Sequence, residues 1–244
     1  MASTAKATAS SIDTAEPPLA TKELRQALRA YLKTPISNSD GITIGSCVYG
    51  VYAFFDYDKE PIYVGQTRES LGTRIRRHLT NQRTDAVAMS VLDPLEVCMI
   101  RVWPLPQYQK IAKNDPERKA AGTYLDGLEA TVFSKLVGAS KFKAVLNEKV
   151  PASSLRVVMP KDYFCNIVAE SVKTIYGHPD IRLARRASTI ARLAQVICER
   201  EVQPGLRRTL KIQAERLLGL AEARFKPFAV EAKVDDKNPS SGEN

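Results

Sequence analysis

The sequence predicts an α+β protein in which a small antiparallel sheet is flanked by helices and followed by a C-terminal helical region. Three observations carry this reading. Residues 48–64 contain two apolar runs, rich in β-branched and aromatic residues and joined by a polar turn, the pattern of a β-hairpin. A third run of the same kind, Leu95 to Trp103, is bounded by Pro94 and Pro104. Beyond Pro151 the apolar residues recur at helical spacing, and no further strand pattern is strong enough to extend the sheet.

The chain has 244 residues, 44% hydrophobic and 26% charged, which is ordinary globular composition with room for one sizeable domain and an appendage, or two small domains. Its formal net charge of +9 favours a polyanionic partner, nucleic acid or an acidic membrane surface. No run approaches the roughly 18 apolar residues of a membrane span. The first residues lack the basic-then-apolar layout of a secretory signal, so a cytoplasmic protein without membrane association is expected. Cys47, Cys98, Cys165 and Cys198 lie one to an apolar segment, without a CxxC spacing, and read as core fillers in a reducing compartment. Two histidines, His78 and His178, and the absence of an HExxH or phosphate-loop pattern argue against zinc and nucleotide hydrolysis.

Taken in order, residues 1–20 open with a small, polar stretch ending in Pro17 and Pro18 and are set aside as a disordered tail. From Thr21 a helix is expected with Leu24, Leu28, Tyr31 and Leu32 on one side, stopping before Pro35. Asn38 to Gly41 is a turn that leads into the first strand, which ends at Phe55. Asp56 to Pro61 is the hairpin turn, and Ile62 to Val64 resumes the strand pattern before Gly65 interrupts it. The next helix carries Leu71, Ile75 and Leu79 on one stripe, with Arg74 and His78 four residues apart on a neighbouring face turned towards the hairpin. Residues 80–94 read either as a short helix over a sheet edge or as a substrate loop. Pro116 to Val137 is helical, with Leu125, Leu128, Val132 and Leu136 buried and Glu129 beside that stripe. These elements make one domain over 21–150. Residues 151–228 form a basic helical region, in which Ile190, Leu193, Ala194 and Ile197 make one stripe and Leu210, Ala214, Leu217 and Ala221 another. Gln203-Pro-Gly205 is the turn between them, and 229–244 is a polar tail.

Gly50-Val-Tyr52, Tyr63-Val-Gly65 and Arg74-x-x-x-His78, followed by Glu129 and Asn147, resemble the motifs of the GIY-YIG nuclease superfamily over roughly residues 45–150. The resemblance implies a three-stranded antiparallel sheet flanked by helices, and Tyr52, Tyr63, Arg74, His78, Glu129 and Asn147 as catalytic residues. It further implies Glu129 as the ligand of Mg²⁺ (or Mn²⁺), and DNA as the partner. Two departures stand out. Many members have tyrosine where this chain has His78, and 18 residues separate Glu129 from Asn147, more than members usually show.

Phosphodiester hydrolysis requires a deprotonated nucleophile, charge neutralisation on the phosphate and stabilisation of the leaving oxygen. A cation held by a single carboxylate keeps several waters and takes other contacts from the phosphate, as Mg²⁺ normally does. Arg74 suits the phosphate because its planar fork is permanently charged. By resemblance Tyr52 is the base that activates water, Tyr63 positions water or phosphate, and His78 relays a proton or contacts the phosphate. Taken singly, either tyrosine is equally a cross-strand packing partner.

The positive charge is localised. Residues 181–227 hold eleven Lys and Arg against four Glu, and residues 66–83 hold five against one. Arg68, Arg76 and Arg77 on the catalytic helix segment, and Arg182, Arg185, Arg186, Arg207 and Arg208 on the C-terminal hairpin, are therefore the candidate nucleic-acid contacts, the alternative being solvated helix faces. The functional expectation is a metal-dependent DNA endonuclease in restriction and defence or in repair and recombination. Its alternative is a nucleic-acid-binding module that kept the fold and lost cleavage. Cutting both strands from a single site requires a homodimer or sequential events.

Overall fold

All six residues of Gly50–Phe55, strand β1, are buried, because this strand lies inside a sheet that is covered on both faces. A computed structural model describes residues 18–80, 92–112, 114–199 and 201–235, the last nine by backbone alone. β2 (Pro61–Thr67) pairs antiparallel with one edge of β1, setting Tyr52 opposite Gly65 and Phe54 opposite Tyr63. The register slips between Phe54 and Phe55, a bulge that follows from the tight turn. In that turn Asp56 Oδ1 accepts the Asp58 and Glu60 N–H groups at 2.9 and 3.0 Å, and Lys59 takes a φ of 61°. β3 (Met99–Pro104) pairs antiparallel with the other edge of β1. It starts later than the run from Leu95 suggests, because Pro94–Glu96 closes a 3₁₀ turn whose first N–H, on Leu95, is capped by Asp93 Oδ1.

The sheet has four strands, not three. β4 (Tyr163–Asn166) pairs antiparallel with β3 and completes the order β2-β1-β3-β4. Its four residues alternate between half-buried and exposed, too short and too wet a stretch to read as a strand in sequence.

Three helices cover the faces. α1 (Leu19–Leu32) and α2 (Leu71–Leu79) pack over the face that holds Tyr52, Phe54, Ile100 and Val102. Ser70 caps α2 by accepting the Thr73 N–H at 3.1 Å. α3 (Glu117–Ala139) covers the opposite face, where Leu125, Leu128, Val132 and Leu136 meet Val51, Ala53, Phe55, Val64 and Trp103. Each such side chain contributes roughly 1.5–3 kcal/mol by leaving water, so the stripe anticipated from spacing fixes α3 on the sheet.

The C-terminal helices α4 (Glu170–Tyr176), α5 (Pro179–Glu199) and α6 (Pro204–Asp235) form the expected helical region, with α5 and α6 packed together through Leu193, Ile197 and Leu206. The apolar stripe expected on α6 is rotated away: Ala214 is exposed, while Thr209, Ile212, Gln213 and Arg216 are buried. The reason is a buried charge network. Arg216 Nη2 donates to Asp56 Oδ2 at 2.7 Å, Arg186 Nη2 to Glu96 Oε2 at 2.7 Å, and Arg182 Nη2 to Asp58 Oδ2 at 2.7 Å. Arg185 forms a fork with both oxygens of Asp93 at 2.7 and 2.8 Å. Arg182, Arg185 and Arg186, expected from sequence to be nucleic-acid contacts, therefore hold the hairpin against the β1–β2 turn and the approach to β3 through ion pairs within the protein. Arg208 donates to the carbonyls of Asn147 and Glu148 at 2.8 and 3.0 Å, whereas Arg207 is exposed.

Helix α6 runs through the start of the expected tail at 229, and the remainder of that tail, most of the N-terminal tail and residues 81–91 lie outside the described residues. Among the described residues no helix is long and apolar enough to cross a membrane.

Candidate active site

Tyr52 sits in the middle of the central strand and reaches its hydroxyl under α2. Tyr52 Oη and His78 Nε2 share a hydrogen bond of 2.9 Å whose donor follows the imidazole tautomer, and Arg74 Nε donates to Tyr52 Oη at 3.4 Å. Tyr63 completes the group, its ring centroid 5.1 Å from that of His78 and 6.1 Å from that of Tyr52. The helical i, i+4 spacing aims Arg74 and His78 at the same hydroxyl, as their placement on α2 predicts. Gly65 makes room for it: a Cβ there would stand 2.5 Å from Tyr52 Oη. The glycine of the Tyr63-Val-Gly65 string thus has a steric reason that lies across the sheet.

The electrostatics oppose free ionisation of the phenol. Burial, and then the neighbouring Tyr63, push the Tyr52 pKa above the ordinary tyrosine value, while the positive charge of Arg74 pulls it down. Proton transfer through the existing bond to His78 needs no free phenolate.

A second group of polar side chains lies between β2 and α3. Gln66 Nε2 donates to Asp126 Oδ1 at 2.7 Å and to Glu129 Oε2 at 3.1 Å. Arg68 Nη2 donates to both oxygens of Asp126, at 2.9 and 3.1 Å. Burial first, and the negative charge of Asp126 as well, push the Glu129 carboxyl up to about 7, against the pull of Gln66 and Arg74. Arg74 thereby acts on both groups, the Tyr52 phenol on one side and the Glu129 carboxylate on the other.

Whether this second group suits a divalent cation can be judged from its donors. Among the described residues no three His, Cys, Asp or Glu side chains converge on one point. Glu129 is a half-buried carboxylate, however, and Gln66 Oε1 is a buried acceptor with no hydrogen-bond partner among the described residues. Hard oxygen donors of this kind, few in number, fit an ion such as Mg²⁺ that keeps most of its water.

Of the residues anticipated from sequence, Tyr52, Tyr63, Arg74 and His78 are brought together, and Glu129 stands in the adjoining group. Asn147 does not join them. Its Oδ1 accepts the Val64 N–H at 3.0 Å and its Nδ2 donates to the Val64 carbonyl at 2.6 Å, so the amide acts as a strand partner for the outer edge of β2. It positions the strand that carries Tyr63, Gly65 and Gln66, and both of its polar atoms are used in doing so. Arg68 is paired with Asp126, and Arg77 with Glu69 at 2.7 Å, leaving Arg76 as the one of the three without an ion pair among the described residues. Sequence reasoning missed Gln66 and Asp126. Asp126 was recoverable, since it precedes Glu129 by three residues on the same helical face.

Residues 48–113 match the family model of the GIY-YIG catalytic domain. No curated protein and no solved structure matches the chain.

Proposed function

We propose that the GIY-YIG catalytic domain carried by this chain is a working, divalent-metal-dependent endonuclease that hydrolyses phosphodiester bonds in DNA. The observation that carries the reading is the hydrogen bond between Tyr52 and His78 beside Arg74, which would serve as a base, its proton acceptor and a phosphate clamp within one constellation. Tyr52 Oη takes a proton from the attacking water as it passes its own to His78 Nε2, which requires the neutral imidazole with Nε2 unprotonated. The water oxygen bonds to phosphorus, the bond to the leaving oxygen breaks, and that oxygen takes a proton from solvent. Arg74 holds a non-bridging phosphate oxygen, where its permanent charge offsets the charge that develops. Tyr63 packs on His78 and orients the ring. Glu129, with Gln66 Oε1 in the same polar group, would hold Mg²⁺ or Mn²⁺, which would supply Lewis-acid stabilisation of the phosphate and leaving group.

One observation favours a second reading, a DNA-binding module without cleavage: the Tyr52 side chain is fully buried, with 0% of its surface exposed. Plasmid incubated with the purified chain separates the two. Nicking or linearisation with Mg²⁺ or Mn²⁺ that is lost with chelator and in Glu129→Gln supports the nuclease; retention of DNA without cleavage under any of these conditions supports the module. Mapping the cut ends on duplex, branched and single-stranded DNA then distinguishes a restriction or defence role from one in repair or recombination.

A further inference from the structure

Five arginines that reach the surface are neutralised by the protein itself. Arg68, Arg77, Arg101, Arg185 and Arg224 each face a carboxylate although all keep contact with solvent. Three others share one cleft instead. Arg25 and Arg29, one turn apart on α1, and Arg76 on α2 line an open cleft of about 340 Å³ together with Leu28 and Thr80. Arg29 and Arg76 are exposed, Arg25 donates only to the Thr80 carbonyl at 3.3 Å, and none of the three forms an ion pair among the described residues. Like charges held together without a counter-charge repel, so the arrangement is one that an anion relieves. Forked guanidinium groups in such a cleft match the geometry of a phosphate. Moreover, α1 lies outside residues 48–113, so two of the three arginines come from outside the segment that matches the family model.

We propose that this cleft binds a backbone phosphate of the DNA flanking the one that is cut, an inference that rests on DNA being the substrate. The placement on α2 supports it. Arg76 follows Arg74 by two residues and so lies about 200° round a helix roughly 10–12 Å across. One short helix thereby offers an arginine to the reacting tyrosine and another to the cleft. At 3.4 Å of axis per nucleotide, that width corresponds to on the order of three phosphate steps along a strand.

The test uses the full chain in a Glu129→Gln background, binding a fluorescein-labelled DNA duplex across a KCl series without divalent metal. Arg25→Gln/Arg29→Gln/Arg76→Gln is expected to weaken binding at least tenfold at low salt and to flatten the slope of log affinity against log salt by about 0.9 for each phosphate released. The corresponding triple lysine variant, which retains charge, is expected to keep the slope. A charge-matched control, Lys135→Gln/Arg192→Gln/Lys226→Gln at exposed positions elsewhere, is also expected to keep it. An unchanged slope in the cleft variant, or an equal loss in the control, overturns the proposal, as does a chain that binds no DNA. Cleavage by the unmutated chain is scored separately. Cleavage with an unchanged slope removes the cleft and keeps the nuclease; an arginine-dependent slope without cleavage removes the nuclease and keeps the cleft.

Discussion

Arg216 on α6 donates to Asp56 in the β1–β2 turn at 2.7 Å, with both side chains sealed from solvent and a second donation from Arg216 to the Pro61 carbonyl at 3.1 Å. The contact joins residues 160 positions apart and ties the C-terminal helices to the turn that sets the register of β1 and β2, and hence of Tyr52 against Gly65. Arg182 and Arg186 crowd the same carboxylate oxygen at 3.5 and 3.6 Å. A buried ion pair contributes little net stability relative to a well-packed apolar pair, but removing one partner strands the other.

Arg216→Met is therefore expected to destabilise the protein by about 3–5 kcal/mol. For a chain of this size that lowers the melting temperature by about 6–20 °C. Replacing both partners, Asp56→Leu with Arg216→Met, is expected to recover much of the loss. Thermal melting of the two variants checks this; a single variant within 1 kcal/mol of the parent would mean that the hairpin is not anchored at this point.

Removing the hairpin outright, residues 181–244, is for the same reason expected to unfold the domain and not merely to weaken DNA binding. The arginines of α5 look like a phosphate footprint in sequence because their partners, Asp56, Asp58, Asp93 and Glu96, lie some 90 to 130 residues away and nothing local announces them. The strands and helices of residues 50–139 were legible for the opposite reason. β1, β2, α2 and α3 carry clear periods, and the spacing of Arg74 and His78 placed both on one face turned towards the hairpin. β4 was hidden by its brevity and by its half-exposed pattern. Asn147 was visible as a residue but not in its role, because a side-chain amide pairing with a strand edge leaves no pattern in sequence.

Glu129 gives a pH dependence with a definite sign. Its carboxyl is raised from 4.5 to about 7 in the folded state, chiefly by burial. Across that window the folded protein keeps a proton that the unfolded chain has released, so stability falls as pH rises through it. Without divalent metal, Glu129→Gln is expected to match the parent near pH 4.5 and to be more stable at pH 8. Allowing for partial exposure, the gain is about 1–2 kcal/mol, or about 2–8 °C in melting temperature. Mg²⁺ or Mn²⁺ should raise the melting temperature of the parent at pH 8 and leave that of the variant unchanged. Equal melting of parent and variant at both pH values would show that Glu129 is an ordinary solvated carboxylate.

Gly65→Ala tests the packing beneath the site. The new methyl would stand 2.5 Å from Tyr52 Oη and 2.9 Å from Tyr63 Cε1, so one or both rings must move. Overpacking of this kind costs about 1–3 kcal/mol, and displacement of the hydroxyl from His78 is expected to lower cleavage by at least tenfold. A variant that melts lower yet cleaves normally would detach the position of Tyr52 Oη from the chemistry.

The most direct test of the mechanism is the single-turnover cleavage rate of a saturating DNA substrate by Arg74→Lys. Lysine keeps the positive charge but loses the planar fork, and with it the directed donation towards Tyr52 and the phosphate. Loss of one preorganised stabiliser lowers the rate by on the order of 10²–10³, about 3–4 kcal/mol, so a fall of that size with DNA affinity and melting temperature nearly unchanged is the predicted result. A rate within threefold of the parent would contradict the account, because Arg74 would then supply diffuse charge to the site and no aimed contact.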